Sequence, residues 1–187
     1  LFSELEQAFG ERILFLDGAM GTMVQRHTLE EEDFRGERFK NHSHALQGCN
    51  DLLCLTQSEI IEAIHVAYLE AGADFIETNT FNSTSISLAD YGLESLAYEL
   101  NYEAAKLAKK AAQQAQTTTG RRGYVAGAIG PTNQTASISP DVDRPGYRAF
   151  VNPAASDGIF CWTANVEYAR LRWMQTFLSK TIPALAL

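Results

Sequence analysis

Apolar residues along this chain fall into short unbroken runs and longer stripes at helical spacing, and the two kinds alternate. Residues 2–9 repeat apolar positions at helical spacing, predicting a short leading helix that Gly10 ends. Ile13 to Leu16 is a continuous apolar run, the pattern of a strand buried on both faces. Residues 26–50 are polar, charged and rich in His, Asn and Gly, and predict a long excursion over the surface. Thr56 followed by Glu59 has the form of a capping box, after which Ile60, Ile61, Ile64, Ala67, Tyr68 and Ala71 recur at helical spacing. Gly72 supplies the left-handed stop. Ala73 to Ile76 returns as a second strand, ending in Glu77, Thr78, Asn79 and Thr80. Leu96, Leu100, Ala104 and Leu107 mark one face of a second long helix, from Leu93 to about Ala115. A polar loop, Thr117 to Gly123, leads to a third strand, Tyr124 to Ile129, which ends in Gly130-Pro131-Thr132-Asn133.

Strands that alternate with helices pair in parallel and carry the helices outside. Right-handed crossovers leave two main architectures, an open doubly wound sheet or a closed eight-stranded barrel. In both, the carboxyl ends of the strands share one face, where ligands bind. Asp17-Gly18, Glu77-Thr78-Asn79 and Gly130-Pro131-Thr132-Asn133 are therefore expected to converge. Each has a plain structural reading alone, since Asp-Gly is a turn signal and Asn-Thr caps helices. Together they point to a site. The loop "DGAMGT" matches neither the dinucleotide nor the triphosphate fingerprint, and Asp17 would repel a phosphate. An acid beside exposed backbone N–H groups suits a zwitterion: the carboxylate takes an ammonium and the glycine amides take a carboxylate.

Composition narrows the picture further. The chain has 187 residues, enough for one sizeable domain, and a formal charge of −8 argues against a nucleic-acid partner. No apolar run approaches a bilayer span, so no membrane partner is expected. Cys49, Cys54 and Cys161 have no metal-ligand spacing and fit a reducing compartment. "LFSELEQAFG" lacks the basic-then-apolar form of a signal peptide, and a cytoplasmic location is the expectation. His42 and His44 could share a metal, but a polar surface loop accounts for them more simply, and no metal ligand is assigned.

The stretches "LDGAMGTMVQ", "DFRGERF", "NDLLCLTQSEII", "AGADFIETNTFNSTSISLADYG" and "VAGAIGPTNQTASISPDVDRPGYR" resemble the amino-terminal homocysteine-binding domain of cobalamin-dependent methionine synthases. That domain lies within the wider homocysteine S-methyltransferase family, to which "ETNTF" alone already points. The resemblance runs from about Ile13 to Arg148. It implies an α/β fold, a partial (β/α)8 TIM-type barrel comprising roughly the first three to five β/α units. It also implies a methyltransferase that binds homocysteine as a zinc thiolate and receives its methyl group from methylcobalamin. Other domains of the full enzyme, which handle folate and cobalamin, are the implied partners. By position, Asp17, Gly18 and Ala19 would contact the amino-acid group of homocysteine, and Glu77, Asn79 and Thr80 would line the same mouth. Gly130 and Asn133 join them through strand-end geometry.

The chain departs from that pattern in two places. The resembled domains hold zinc with three cysteines, one after a later strand and an adjacent pair near the barrel's end. This chain stops before those positions, so zinc ligands are expected to be absent and the chain alone to be inactive. A complete barrel takes about 250 residues, so a fragment or a truncated, non-catalytic remnant is the alternative expectation. The natural division is 1–150, the amino-terminal part of the barrel, and 151–187, an atypical tail. Val166, Leu171, Met174 and Phe177 keep helical spacing there. Trp173-Met174-Gln175-Thr176-Phe177, read from the last base of the Trp codon, encodes Asp-Ala-Asp/Asn and then an aliphatic residue or Phe, like the "GADF" that ends at Phe75. The tail is thus expected to be a frameshifted reading of the next unit; coding DNA in which neither alternative frame restores the pattern overturns this.

Overall fold

The computed structural model describes residues 2–130 and 143–144; Asn133 and the stretch 151–187 lie outside the described residues. The chain opens with α1 (Phe2–Glu11), α2 (Met20–Gln25) and α3 (Glu31–Arg35). A 3-10 turn, Asn50–Leu52, leads into α4 (Leu53–Thr56) and α5 (Ser58–Ala71). Then come β1 (Phe75–Glu77), α6 (Ser85–Leu88), α7 (Ala97–Thr119) and β2 (Tyr124–Ala126). Among the described residues the architecture is helix-rich around a small parallel sheet.

β1 and β2 pair in parallel, with Phe75 opposite Tyr124, Ile76 opposite Val125 and Glu77 opposite Ala126. The first apolar run joins through one parallel bridge, Leu16 to Phe75. Asp17 N–H donates to Phe75 O at 2.8 Å and Phe75 N–H donates to Phe15 O at 3.0 Å. Three segments thus lie side by side in chain order. The first is not the doubly buried strand its apolar run predicts: Ile13, Phe15 and Leu16 are 78%, 62% and 54% exposed. It is pinned at one side only, where the buried Asp74 carboxylate accepts from Phe15 N–H and from the Arg12 guanidinium.

The third strand is shorter than its apolar run, and side chains explain the difference. Past Ala126 the Thr78 hydroxyl accepts from Ala128 N–H at 3.0 Å, while the Thr80 hydroxyl donates to Ala128 O at 2.8 Å. Threonine hydroxyls have taken over from the main-chain ladder. The capping box expected at Thr56 and Glu59 does not form. Thr56 belongs to α4, where its hydroxyl donates to Leu52 O, and Gln57 is the residue before α5. Gly72, at φ 118°, ends α5 in the left-handed conformation as expected. The second long helix begins four residues later than predicted, because Glu94–Leu96 is a 3-10 turn, and it runs on to Thr119.

The excursion at 26–50 is more ordered than its polarity predicts. Phe34, Phe39, Leu46 and Cys49 reach into the main core. Glu31 accepts from Leu46 N–H and Gln47 N–H and pairs with Arg35, whose guanidinium donates to His42 O and His44 O. Polar side chains spent on the loop's own backbone leave its apolar residues free to pack inward. That core, with Leu52, Leu53, Ile61, Ile64 and Leu100, lies between α4, α5 and α7. A second cluster, Leu69, Ile76, Ala108, Ala112 and Ala115, seats the helices on the sheet. The alanine row lets α7 approach closely. Among the described residues no single helix is long and apolar enough to cross a membrane.

Candidate functional site

The site begins with one unpaired atom. Asp17 leaves the first strand segment with its carboxylate turned toward β1, and Oδ2 accepts from Glu77 N–H at 3.1 Å. Oδ1 is buried and has no hydrogen-bond partner among the described residues. Burial pushes the Asp17 carboxyl up to about 6; the Glu77 N–H bond opposes that shift and the Glu77 charge adds to it. A carboxylate held so at the end of a parallel strand has acceptor capacity that none of the described residues uses.

Gly18 and Ala19 follow it, both exposed, and Ala19 immediately precedes α2. A Cβ on Gly18 would stand 3.6 Å from the Tyr68 hydroxyl, an ordinary contact. Glu77 closes β1 and is exposed. These four predicted residues come together at one end of the sheet.

Asn79 and Thr80 sit beside them but are buried and committed elsewhere. Asn79 Nδ2 donates to Asn50 O at 2.7 Å, and the Thr78 and Thr80 hydroxyls are 2.7 Å apart. They hold the mouth's shape. Gly130 N–H donates to Phe81 O, and a Cβ there would lie 2.3 Å from that oxygen, so only glycine fits. The third strand end therefore abuts the loop that follows β1. Asn133 lies outside the described residues.

Three residues near this end escaped the sequence reading. Asp51, buried, accepts from Asn82 N–H at 2.8 Å and from the Ser83 hydroxyl at 3.1 Å. Asn50 and Tyr68 approach the glycine loop from the 3-10 turn and from α5. The available signal was the polar pair Asn50-Asp51 heading an apolar run.

The described donors do not fit a zinc ion. No group of three or more His, Cys, Asp or Glu converges among the described residues. Burial pushes Cys49 up to about 11 and Cys54 up to about 12, so both stay thiols. His42 is bonded to Tyr91 O and His44 to the Ser43 hydroxyl, their rings 5.7 Å apart. His65 is fully buried, neither ring nitrogen has a partner among the described residues, and burial pushes it down to about 4.

This is the geometry of an α/β protein whose polar strand ends gather at one end of a parallel sheet. Residues 14–184 match the family model described as homocysteine S-methyltransferase, and the chain belongs to that family. The match runs into the stretch 151–187. Among solved structures, the metallated form of the homocysteine methyltransferase MmuM from Escherichia coli aligns with a TM-score of 0.53 at 24% identity. That alignment covers 68% of this chain and 41% of MmuM. Its oxidised form aligns with a TM-score of 0.52 at 26% identity, covering 66% of this chain and 39% of that one. The chain thus spans about two fifths of the length of these structural relatives.

Proposed function

We propose that this chain binds homocysteine through its amino-acid group, as the first strands of a (β/α)8-barrel methyltransferase. The observation that carries the reading is Asp17 Oδ1, buried and unpaired beside Gly18. An ammonium is the group that such an atom lacks. Pairing with it restores the hydrogen bond lost on burial and draws the carboxyl back toward its ordinary range. Gly18 and Ala19 carry the exposed main chain that faces the ligand, and Glu77, Asn79, Thr80 and Gly130 shape the mouth. The three parallel segments lie side by side in chain order, as consecutive strands of such a barrel do.

Within this reading the acceptor is the homocysteine sulfur, the product is methionine, and methylcobalamin supplies the methyl group, with folate and cobalamin domains as partners. The motif resemblance supports the donor, and a cytoplasmic setting suits the free thiols. Zinc would hold the sulfur as thiolate in such an enzyme, but the described donors do not fit it, so the part proposed for the described residues is the amino-acid end. The proposed division at 150 separates that part from the tail.

Titration calorimetry of the full chain with L-homocysteine tests the reading. Saturable binding that weakens when Asp17→Asn is introduced supports it. No binding by the unaltered chain overturns it and leaves the non-catalytic remnant.

A further inference from the structure

The polar excursion at 26–50 carries two histidines that the methyltransferase reading does not use. Its path sets them against a turn that comes 49 residues later in the chain, where His42 Nε2 lies 2.7 Å from Tyr91 O. His44 Nδ1 lies 3.1 Å from the Ser43 hydroxyl, and the two imidazole rings are 5.7 Å apart, centre to centre. Gly92, exposed and at φ 65°, follows Tyr91 at the same place. A Cβ there would stand 2.9 Å from His44 Nδ1 and 3.6 Å from His42 Nε2. Both ring nitrogens therefore border one small space that a side chain would fill. The backbone beneath them is held as well: the Arg35 guanidinium donates to His42 O and His44 O, and Glu31 pairs with its charge.

Two ring nitrogens, a carbonyl oxygen and a hydroxyl make a ligand set. Ligands at right angles, each about 2.1 Å from an ion, stand about 3.0 Å from each other. The His42–Tyr91 and His44–Ser43 spacings are close to that edge. Calcium and magnesium take oxygen alone, and structural zinc takes a closed tetrahedron dominated by thiolate and imidazole. Two nitrogens and two oxygens in an exposed place, with room for water, suit nickel(II) or copper(II). Asp90, one residue before Tyr91, brings a negative charge to the same turn.

We propose that His42 and His44, with Tyr91 O and the Ser43 hydroxyl, form a site for one divalent late-transition-metal ion of the nickel(II) class. The ion ties the excursion to the Tyr91–Gly92 turn. The site shares no residue with the strand-end mouth and does not depend on the homocysteine reading. As a hydrogen bond, the contact with Tyr91 O puts a proton on His42 Nε2, because a carbonyl can only accept. When an ion takes Nε2, that proton moves to Nδ1, giving the other tautomer of the neutral ring.

Nickel chloride titrated into the full chain tests this, followed by calorimetry and by the NMR signals of the four histidine rings. The expected result is one equivalent bound, with the ring protons of His42 and His44 broadened by the paramagnetic ion ahead of those of His27 and His65. The melting temperature should rise with added nickel, since the site exists only in the folded chain. His44 is exposed, so His44→Gln leaves the core untouched. It should bind about tenfold more weakly or worse, as should His42→Gln. Unchanged binding in either variant, or broadening confined to His27 or His65, overturns the site. Binding that disappears in Cys161→Ser overturns it too, because that thiol is then the ligand. No uptake of nickel by the unaltered chain overturns it outright.

Discussion

The Asp17 carboxylate accepts a hydrogen bond from the main-chain N–H of Glu77 at 3.1 Å, tying the end of the first strand segment to the end of β1. One oxygen is spent on architecture and the other is left buried and bare. Scaffold and binding group are thus the same side chain.

That dual use gives a pH dependence of definite sign. The folded-state carboxyl is raised from an ordinary 3.8 to about 6, so the empty folded protein holds the proton more tightly than the unfolded chain does. The contribution to stability is full below 3.8 and is lost as pH rises through about 6. Ligand binding runs the other way, because an ammonium needs the ionised form. Homocysteine affinity measured calorimetrically between pH 5 and 8 is expected to fall as pH drops through about 6. Asp17→Asn should lose that limb and bind about tenfold more weakly at neutral pH. A pH-independent affinity in the unaltered chain would contradict this.

His65 pulls in the opposite sense over the same range. It is wholly buried on α5 with both ring nitrogens unpartnered, and is lowered from 6.5 to about 4. The unfolded chain therefore binds the extra proton first, and stability falls as pH drops from 6.5 toward about 4. His65→Leu removes two orphaned polar atoms and the acid-labile group together. Urea midpoints at pH 7 and pH 5 should show the variant at least as stable at the higher pH, with a smaller loss on acidification. An unchanged acid loss would place its origin elsewhere.

Much of this arrangement was legible in the sequence, and each failure has a physical cause. Gly72 stops α5 where its position said it would, because a left-handed cap is a local demand on one residue. The first two polar strand ends converge as expected, Asp17 meeting Glu77, because parallel pairing forces them onto one end. Thr56 and Glu59 looked like a capping box, but Thr56 already closes the separate turn α4, which periodicity does not distinguish from α5. The apolar run Ile13–Leu16 looked doubly buried, yet among the described residues it pairs along one edge and three of its four side chains are exposed. The polar stretch 26–50 was expected to run over the surface, yet Arg35 and Glu31 bond its backbone and Phe34 and Leu46 are buried. The first run is decided by partners some sixty residues away, whereas Thr56 is decided by Leu52 O four residues back, a local hydrogen bond that apolar periodicity does not register.

Two glycines of the site should respond differently to the same methyl group. A Cβ at Gly130 would lie 2.3 Å from Phe81 O and 2.7 Å from its ring, so the backbone must shift. Gly130→Ala is expected to cost about 1–3 kcal/mol, as overpacking typically does. A Cβ at Gly18 meets Tyr68 at 3.6 Å, an ordinary contact, so Gly18→Ala should stay within about 0.5 kcal/mol in stability. Its homocysteine affinity should fall nonetheless, because the added methyl narrows the glycine loop proposed to face the ligand's amino-acid group. Thermal melts and calorimetry on the pair separate packing from binding.

Asp51 governs the loop that follows β1. Its buried Oδ1 takes both Asn82 N–H and the Ser83 hydroxyl, and burial raises its carboxyl above the ordinary range. The charge itself is therefore a burden, while the acceptor is needed. Asp51→Asn keeps an oxygen in place and removes the charge; Asp51→Ala strands two donors. The alanine variant is expected to lose about 2–3 kcal/mol by urea denaturation and the asparagine variant distinctly less. Amide exchange at Asn82 should accelerate in Asp51→Ala before global unfolding, since that N–H has no other partner. Equal losses in the two variants would mean that the charge, rather than the acceptor, holds Asn82 and Ser83 against the strand end.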